Sequence, residues 1–299
     1  MAFKNQLTKI GNLYDKHYKK LIIIPTIILF IAIFLIAQQY ITTGEFMNKG
    51  VSLKGGITIT IPSAQGMTAY EFQDYLRSKF PEKDIVVRTL KRYGEEDGLI
   101  IDANFEEDEE ISGLKTAIET KLEIHETEYN EEIIGSALGD SFFKQTFKAL
   151  LFAFLFMGVV VFIYFRTKIP SLAVILAAFS DIVSTLAVVN LLGMKISTAG
   201  IAAFLMLIGY SVDTDILLST KVLKSRVGTV PDRIRKAMKT GFMMSITTLG
   251  AVAIGLIFAE SEVLIQIMTI IFIGLSFDLI YTWLQNAVLL RMYTEKEND

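Results

Sequence analysis

The 299-residue chain has no cysteine, two histidines, five prolines and a single tryptophan. Without cysteine there is neither a disulfide framework nor a thiolate metal site. His17 and His125 lie in polar segments far apart in sequence, so an imidazole metal site or a His-based triad is not expected. No P-loop for nucleotide phosphates is present, and no hydrolytic chemistry is implied, so the chain reads as a non-enzyme without a cofactor. Apolar residues are plentiful instead: 52% of the chain is hydrophobic, with 21 Phe.

These residues gather in blocks of about twenty, the length a helix needs to cross the ~30 Å hydrocarbon core of a bilayer. Six such blocks occupy roughly 21–40, 147–165, 170–190, 197–218, 240–259 and 263–290, the last long enough to tilt or run into the interface. The chain therefore reads as an integral membrane protein. LIIIPTIILFIAIFLIAQQY follows five lysines but ends without a small-residue cleavage site, which marks an uncleaved anchor rather than a signal peptide.

Basic residues set the orientation. Lys4, Lys9, Lys16, Lys19 and Lys20 precede the first block. Arg166 and Lys168 join the second to the third, Lys221, Lys224, Arg226, Arg233, Arg235, Lys236 and Lys239 join the fourth to the fifth, and Arg291 and Lys296 follow the sixth. The opposite short connections hold only Lys195 in one and Glu260 with Glu262 in the other. Both termini are expected in the cytoplasm, with residues 1–20 a basic N-terminus, 291–299 a tail, and 41–146 a folded external domain. Topology accounts for the basic stretch 221–239, so nucleic acid is not an expected partner; the stretch reads as an interfacial helix with Pro231 at its start.

The external segment alternates in character. VSLKGGITITI (51–61) is β-rich, TAYEFQDYLRSKF (68–80) has helical spacing, DIVVRTLKRY and GLIIDANF flank the hairpin signal GEEDG, ISGLKTAIETKLEI (111–124) is helical, and 126–134 holds a weaker strand. The order βαββαβ suggests a ferredoxin-like split sandwich. The acidic run Glu106-Glu107-Asp108-Glu109-Glu110 reads as a solvated loop leading into a helix. Gly55-Gly56 in the first strand marks a bulge or a close backbone approach.

The membrane blocks carry the chemistry. Asp181, Asp213, Asp215 and Asp278 all fall within them, and a charged side chain at mid-bilayer costs about 2.5–3.5 kcal/mol on insertion scales. Asp181, Ser184 and Thr185 share one helix face, as do Asp278, Thr282 and Gln285, with Gly274 one turn earlier. In the fourth block Ser211, Thr214, Asp215 and Ser219 share a face, whereas Asp213 points about 200° away beside Gly209 and Tyr210. Helix geometry therefore favours Asp215 in a polar seam and leaves Asp213 needing its own partner, one on a second protein being an option. Packing through carboxylate–hydroxyl bonds is the plainer explanation. Four ionisable groups where hydroxyls and amides would serve point instead to proton or ion carriers.

One span, an outer domain and five clustered spans is the plan that resembles half of a resistance-nodulation-division transporter. Within that superfamily the residues resemble the SecF family, membrane subunits that work with SecD beside the protein-conducting SecYE-type translocon. GVSLKGGITI (50–59), with Gly50, Gly55 and Gly56, is similar to the family's G-x-D-F-x-G-G-T signature. EEIIGSALGDSFFKQTFKALLFAF (131–154) is similar to its entry into span two, with Gly135 and Gly139 in place. YFRTKIPSLAVILAAFSD (164–181) resembles the run leading to an Asp in span three. GYSVDTDILLSTKV (209–222) resembles G-Y-S-I-N-D-T-V-V, with Gly209 and Tyr210 matched, and SITTLGAV (245–252) is similar to T-S-x-T-T-L.

There are departures from the bacterial pattern. Ser52 stands for Asp, Thr214 occupies the usual Asp position, Asp213 aligns with the Asp of SecD's G-x-x-V-D-A-N, Thr240 replaces an Arg, and Asp278 has no bacterial equivalent. They point to the archaeal branch. The resemblance implies an auxiliary subunit of general secretion, acting with SecD on translocating polypeptides and drawing on the proton-motive force. It favours Asp213 among the four carriers. An exporter of lipids or small molecules on the same plan is the alternative, against which stands the single six-span unit. An intramembrane aspartyl protease pairing Asp181 with Asp278 lacks the Gly-x-Gly and Tyr-Asp that chemistry needs.

Overall fold

The computed structural model describes residues 17–298, apart from 64, 65, 93, 94, 106, 226 and 260. Lys4, Lys9 and Lys16 of the basic N-terminus, Gly94 of the hairpin signal, Glu106, Arg226 and Glu260 lie outside the described residues.

Six helices are long and apolar enough to cross a membrane, as the apolar blocks predict. The first is α1 (Ile23–Thr43), part of a helical stretch from His17. It stops at Gly44, whose left-handed backbone (φ 74°) brings its N–H onto the Tyr40 carbonyl. The other five are α5 (Ser136–Phe165), α6 (Lys168–Leu191), α7 (Thr198–Leu223), α8 (Val230–Phe258) and α9 (Glu262–Ile280). A smaller unit of strands and short helices falls between α1 and α5.

Several boundaries differ from the sequence-based expectation: the second apolar block, read as 147–165, is the later part of α5, which starts at Ser136 inside the segment read as external. The basic stretch 221–239 is not a separate interfacial helix: α7 runs on to Leu223, and α8 starts at Val230 and continues unbroken into the fifth span. Thr229 and Asp232 form a capping box there, with Pro231 in the first turn, and no glycine or proline follows until Gly241. The sixth helix does run on, through a π-helical segment (Tyr281–Asn286) into α10 (Ala287–Asn298).

Between α1 and α5 lies a four-stranded sheet with two helices. The order is α2 (Val51–Lys54), β1 (Gly56–Ile61), α3 (Ala69–Lys79), β2 (Ile85–Arg92), β3 (Glu95–Ala103), α4 (Asp108–Leu122) and β4 (Asn130–Ile134). The strands lie in the order β2-β3-β1-β4, every neighbouring pair antiparallel. Alternation along β1 sends Ile57, Ile59 and Ile61 to one face, where they pack with Phe72 and Leu76 of α3 and Leu114 and Ile118 of α4. Thr68 and Glu71 close a capping box at the start of α3. The segment 51–61 is strand only from Gly56. Val51–Lys54 coils into a turn because Leu53 is buried among the membrane helices, and Ser52 Oγ accepts the Thr198 N–H at the start of α7 (3.1 Å).

Gly55 and Gly139 make a close backbone crossing. Gly55 holds φ +91°, and a Cβ on it would lie 2.5 Å from Ser136 Cα; one on Gly139 would lie 2.5 Å from the Gly55 nitrogen. The first turns of α5 therefore sit directly on the α2–β1 turn. Among the membrane helices α6 and α7 are central, each with over half its apolar stretch buried. α1 and α5 lie outside them and turn Phe30, Phe34, Phe152 and Phe156 outward, as side chains facing lipid would.

Candidate ion-relay site between three membrane helices

The polar stripes of α6, α7 and α9 meet inside the bundle. Asp181 on α6, Asp215 on α7 and Asp278 on α9 are each fully buried. Ser211 of α7 donates its hydroxyl to Asp181 Oδ2. Thr282 Oγ1 lies 3.0 Å from Asp215 Oδ1 and 3.0 Å from Asp278 Oδ1, and Asn286 Nδ2 donates to Asp215 Oδ1 at 2.7 Å. At the margin, Tyr281 and Ser184 share a 2.6 Å hydroxyl contact.

The second oxygens, Asp181 Oδ1, Asp215 Oδ2 and Asp278 Oδ2, have no hydrogen-bond partner among the described residues, nor do Asn286 Oδ1 and Ser219 Oγ. No Lys, Arg or His pairs with the three carboxylates within the described residues. No group of three or more His, Asp or Glu among those residues is placed to hold a metal ion. Three acids with hydroxyl and amide donors, and no fixed cation among the described residues, form an arrangement chemically able to hold a proton.

The π-helical segment shapes this site. At 100° per residue Asn286 would sit about 80° away from Asp278 around the helix. The wider turn over Tyr281–Asn286 brings Thr282 and Asn286 onto Asp215 together. Asn286, Tyr281 and Trp283 are the residues that sequence reasoning missed; Tyr281 and Asn286, three and eight residues after Asp278, lie at spacings that could have found them. Trp283 stacks on Phe242 with ring centroids 5.7 Å apart, and fits against Gly241, where a Cβ would lie 2.4 Å from its ring. Gly274 fits against Leu207 in the same way, bringing α9 close to α7.

Asp213 stands apart from the three. It is exposed on the opposite face of α7, beside exposed Gly209 and Tyr210, and makes no hydrogen bond or ion pair within the described residues. Of the glycines of the sequence signature, Gly50 donates its N–H to the Ile196 carbonyl at 2.8 Å, Gly55 and Gly56 form the turn into β1, and Gly135 precedes α5.

A bundle of this kind, with a small sheet inserted after the first helix, has recognisable relatives. Residues 114–296 match the family described as "Protein export membrane protein SecD/SecF, C-terminal". The protein-export membrane protein SecF of Pyrococcus furiosus is 36% identical over 288 residues, which are 96% of this chain and 95% of that protein. That of Methanothermobacter thermautotrophicus is 39% identical, covering 94% of each chain. The chain belongs to the SecF family. SecF proteins, by these names, are membrane proteins of protein export, and this chain is a multi-pass membrane protein of that family. Its fold also matches the crystal structure of SecDF, a translocon-associated membrane protein from Thermus thermophilus, with a TM-score of 0.76 and 20% identity; the match covers 94% of this chain and 38% of that longer one.

Proposed function

We propose that this SecF-family chain works with a SecD-type partner beside a SecYE-type channel, and that it couples a transmembrane proton gradient to the movement of exported polypeptides. The observation that carries the reading is the buried set Asp181, Asp215 and Asp278, contributed by three helices and balanced by no cation within the described residues. A single Thr282 hydroxyl proton serves one carboxylate at a time. Filling both of its 3.0 Å contacts therefore requires a hydrogen supplied by Asp215 or Asp278. Gain or loss of that hydrogen changes how α7 and α9 are held together, which is what a coupled helix pair needs.

Asp213 supports the partnership. A carboxylate left against lipid on α7 costs about 2.5–3.5 kcal/mol, and a partner helix over Ala202, Met206, Gly209, Tyr210 and Asp213 removes that cost. In this reading both termini face the cytoplasm, residues 41–146 form an external domain of ferredoxin-like plan, and 147–290 form the helix bundle. The order β2-β3-β1-β4 with both helices on one face supports the ferredoxin-like plan. The basic connections between spans support the orientation.

The test is export of a secreted polypeptide into vesicles holding this chain, its SecD-type partner and the channel. A protonophore should lower the rate when the chain is present and leave it unchanged when the chain is omitted. Rates insensitive to the protonophore in both cases overturn the coupling.

A further inference from the structure

The four-stranded sheet with α3 and α4 has an apolar core separate from that of the helix bundle, to which Leu53 of α2 belongs, and polar side chains line much of the space between the helix-free face of the sheet and the bundle. Arg88, Asp102 and Glu132 on the helix-free face of the sheet look across a cavity of about 140 Å³ at Lys195, Glu262 and Gln266. Besides the Ser52–Thr198 hydrogen bond, the Gly55–Gly139 crossing and the one-residue link from β4 to α5, two attachments cross this junction. One is backbone: Ile196 N–H donates to the Asn48 carbonyl at 2.7 Å and Gly50 N–H to the Ile196 carbonyl at 2.8 Å. The other is the Arg88 guanidinium, which donates through Nη2 to Asp102 at 2.6 Å and through Nη1 to Glu262.

Glu262 is the first residue of α9, and Asp278 lies sixteen residues further along the same unbroken helix, about 24 Å at 1.5 Å per residue. Thr282 and Asn286 follow on its π-helical continuation. Arg88 thus ties the sheet to the helix that carries a third of the buried carboxylate set. Burial disfavours the charge on Arg88, but Asp102 and Glu262 outweigh it and keep the guanidinium charged. Because the core of the sheet with α3 and α4 is not fused with that of the bundle, the junction permits relative motion in a way that a fused core would not.

We propose that Arg88 is a coupling residue: acting through Glu262, it makes the sheet follow shifts of α9, with the backbone pairing of Asn48 and Gly50 to Ile196 as the pivot. This rests on the ion-relay reading above, since protonation of the Asp215–Thr282–Asp278 contact is what shifts α9. Within the sheet Asp102 positions Arg88, and Thr58 in turn bonds Asp102 at 2.8 Å.

The absence of cysteine makes the test direct. Spin labels on Tyr70→Cys in α3 and Phe258→Cys at the end of α8, both strongly exposed, report the distance between sheet and bundle in the full chain with its partner in vesicles. Imposing a pH gradient should shift that distance. Glu262→Gln and Arg88→Gln should abolish the shift, Arg88→Lys should restore part of it, and Asp102→Asn, which loosens Arg88 within the sheet but leaves its bridge to α9, should reduce the shift without abolishing it. A merely structural role would lower thermal stability in these variants without removing the gradient response. A shift retained in Glu262→Gln but lost in Asp278→Asn overturns the coupling role and leaves the ion-relay reading standing. No shift in the labelled chain without further substitution overturns both.

Discussion

Replacing Asp278 by Asn keeps the size of the side chain and its contact with Thr282 while removing the group that exchanges a proton. Asp278 lies about 24 Å along its helix from Glu262, and Asp181 about 15 Å from the end of α6 at Leu191, so the set sits roughly half to four-fifths of the way across a ~30 Å slab. One charge crossing the whole slab gains about 2.3 kcal/mol per 100 mV, so a proton reaching these carboxylates gains about 1.2–1.8 kcal/mol. That energy biases the coupled step by about 7- to 20-fold. In vesicles holding the partner and the channel, an imposed potential of about 100 mV should raise export by up to that ratio. Asp278→Asn should bring the ratio close to one and leave export without a potential largely unchanged. A variant that inserts normally and keeps the full voltage ratio would refute the assignment of Asp278 as a carrier.

Three further outcomes follow from the packing and the polar contacts. Gly139→Ala places a methyl 2.5 Å from the Gly55 nitrogen, backbone that cannot move aside; overpacking of this kind costs about 1–3 kcal/mol, measurable as a lower unfolding midpoint in detergent. Gly241→Ala pushes a methyl into the Trp283 ring. Because Trp283 is the only tryptophan, its fluorescence should shift, and the π-helical contacts of Thr282 and Asn286 to Asp215 should weaken with it, lowering gradient-stimulated export. Burial, reinforced by the 2.9 Å hydrogen bond to Glu119, raises the Tyr129 hydroxyl above its ordinary value near 10. A raised folded value contributes stability that is complete below about pH 10 and lost as pH climbs through the folded value. Tyr129→Phe should therefore flatten the alkaline fall in thermal stability above about pH 10, and an unchanged fall would place its origin elsewhere.

Much of this molecule is written in local pattern. Six apolar blocks of about twenty residues suffice to place six bilayer-length helices, because in lipid a helix must satisfy its own backbone. Period-2 alternation at Ile57, Ile59 and Ile61, and 3.6-residue spacing at Phe72 and Leu76, likewise place the strands and helices of the inserted unit. The 100° step of a helix already turns Asp213 and Asp215 to opposite sides of α7. Resemblance favoured Asp213, but it is Asp215 that shares the buried set.

Other features depend on contacts that no periodicity contains. Val51–Lys54 reads as strand, yet it coils because Leu53 and Ser52 are held by residues some 140 positions away. Asn286 and Thr282 reach Asp215 from a π-helical turn, a local widening that leaves no mark in hydropathy. The meeting of Asp181, Asp215 and Asp278, and the reach of Arg88 to Glu262, were decided by tertiary packing alone. Local sequence sets which face of each element is polar. Which polar faces then meet depends on helix crossings, and these are governed by close approaches such as Gly274 on Leu207 and Gly241 on Trp283.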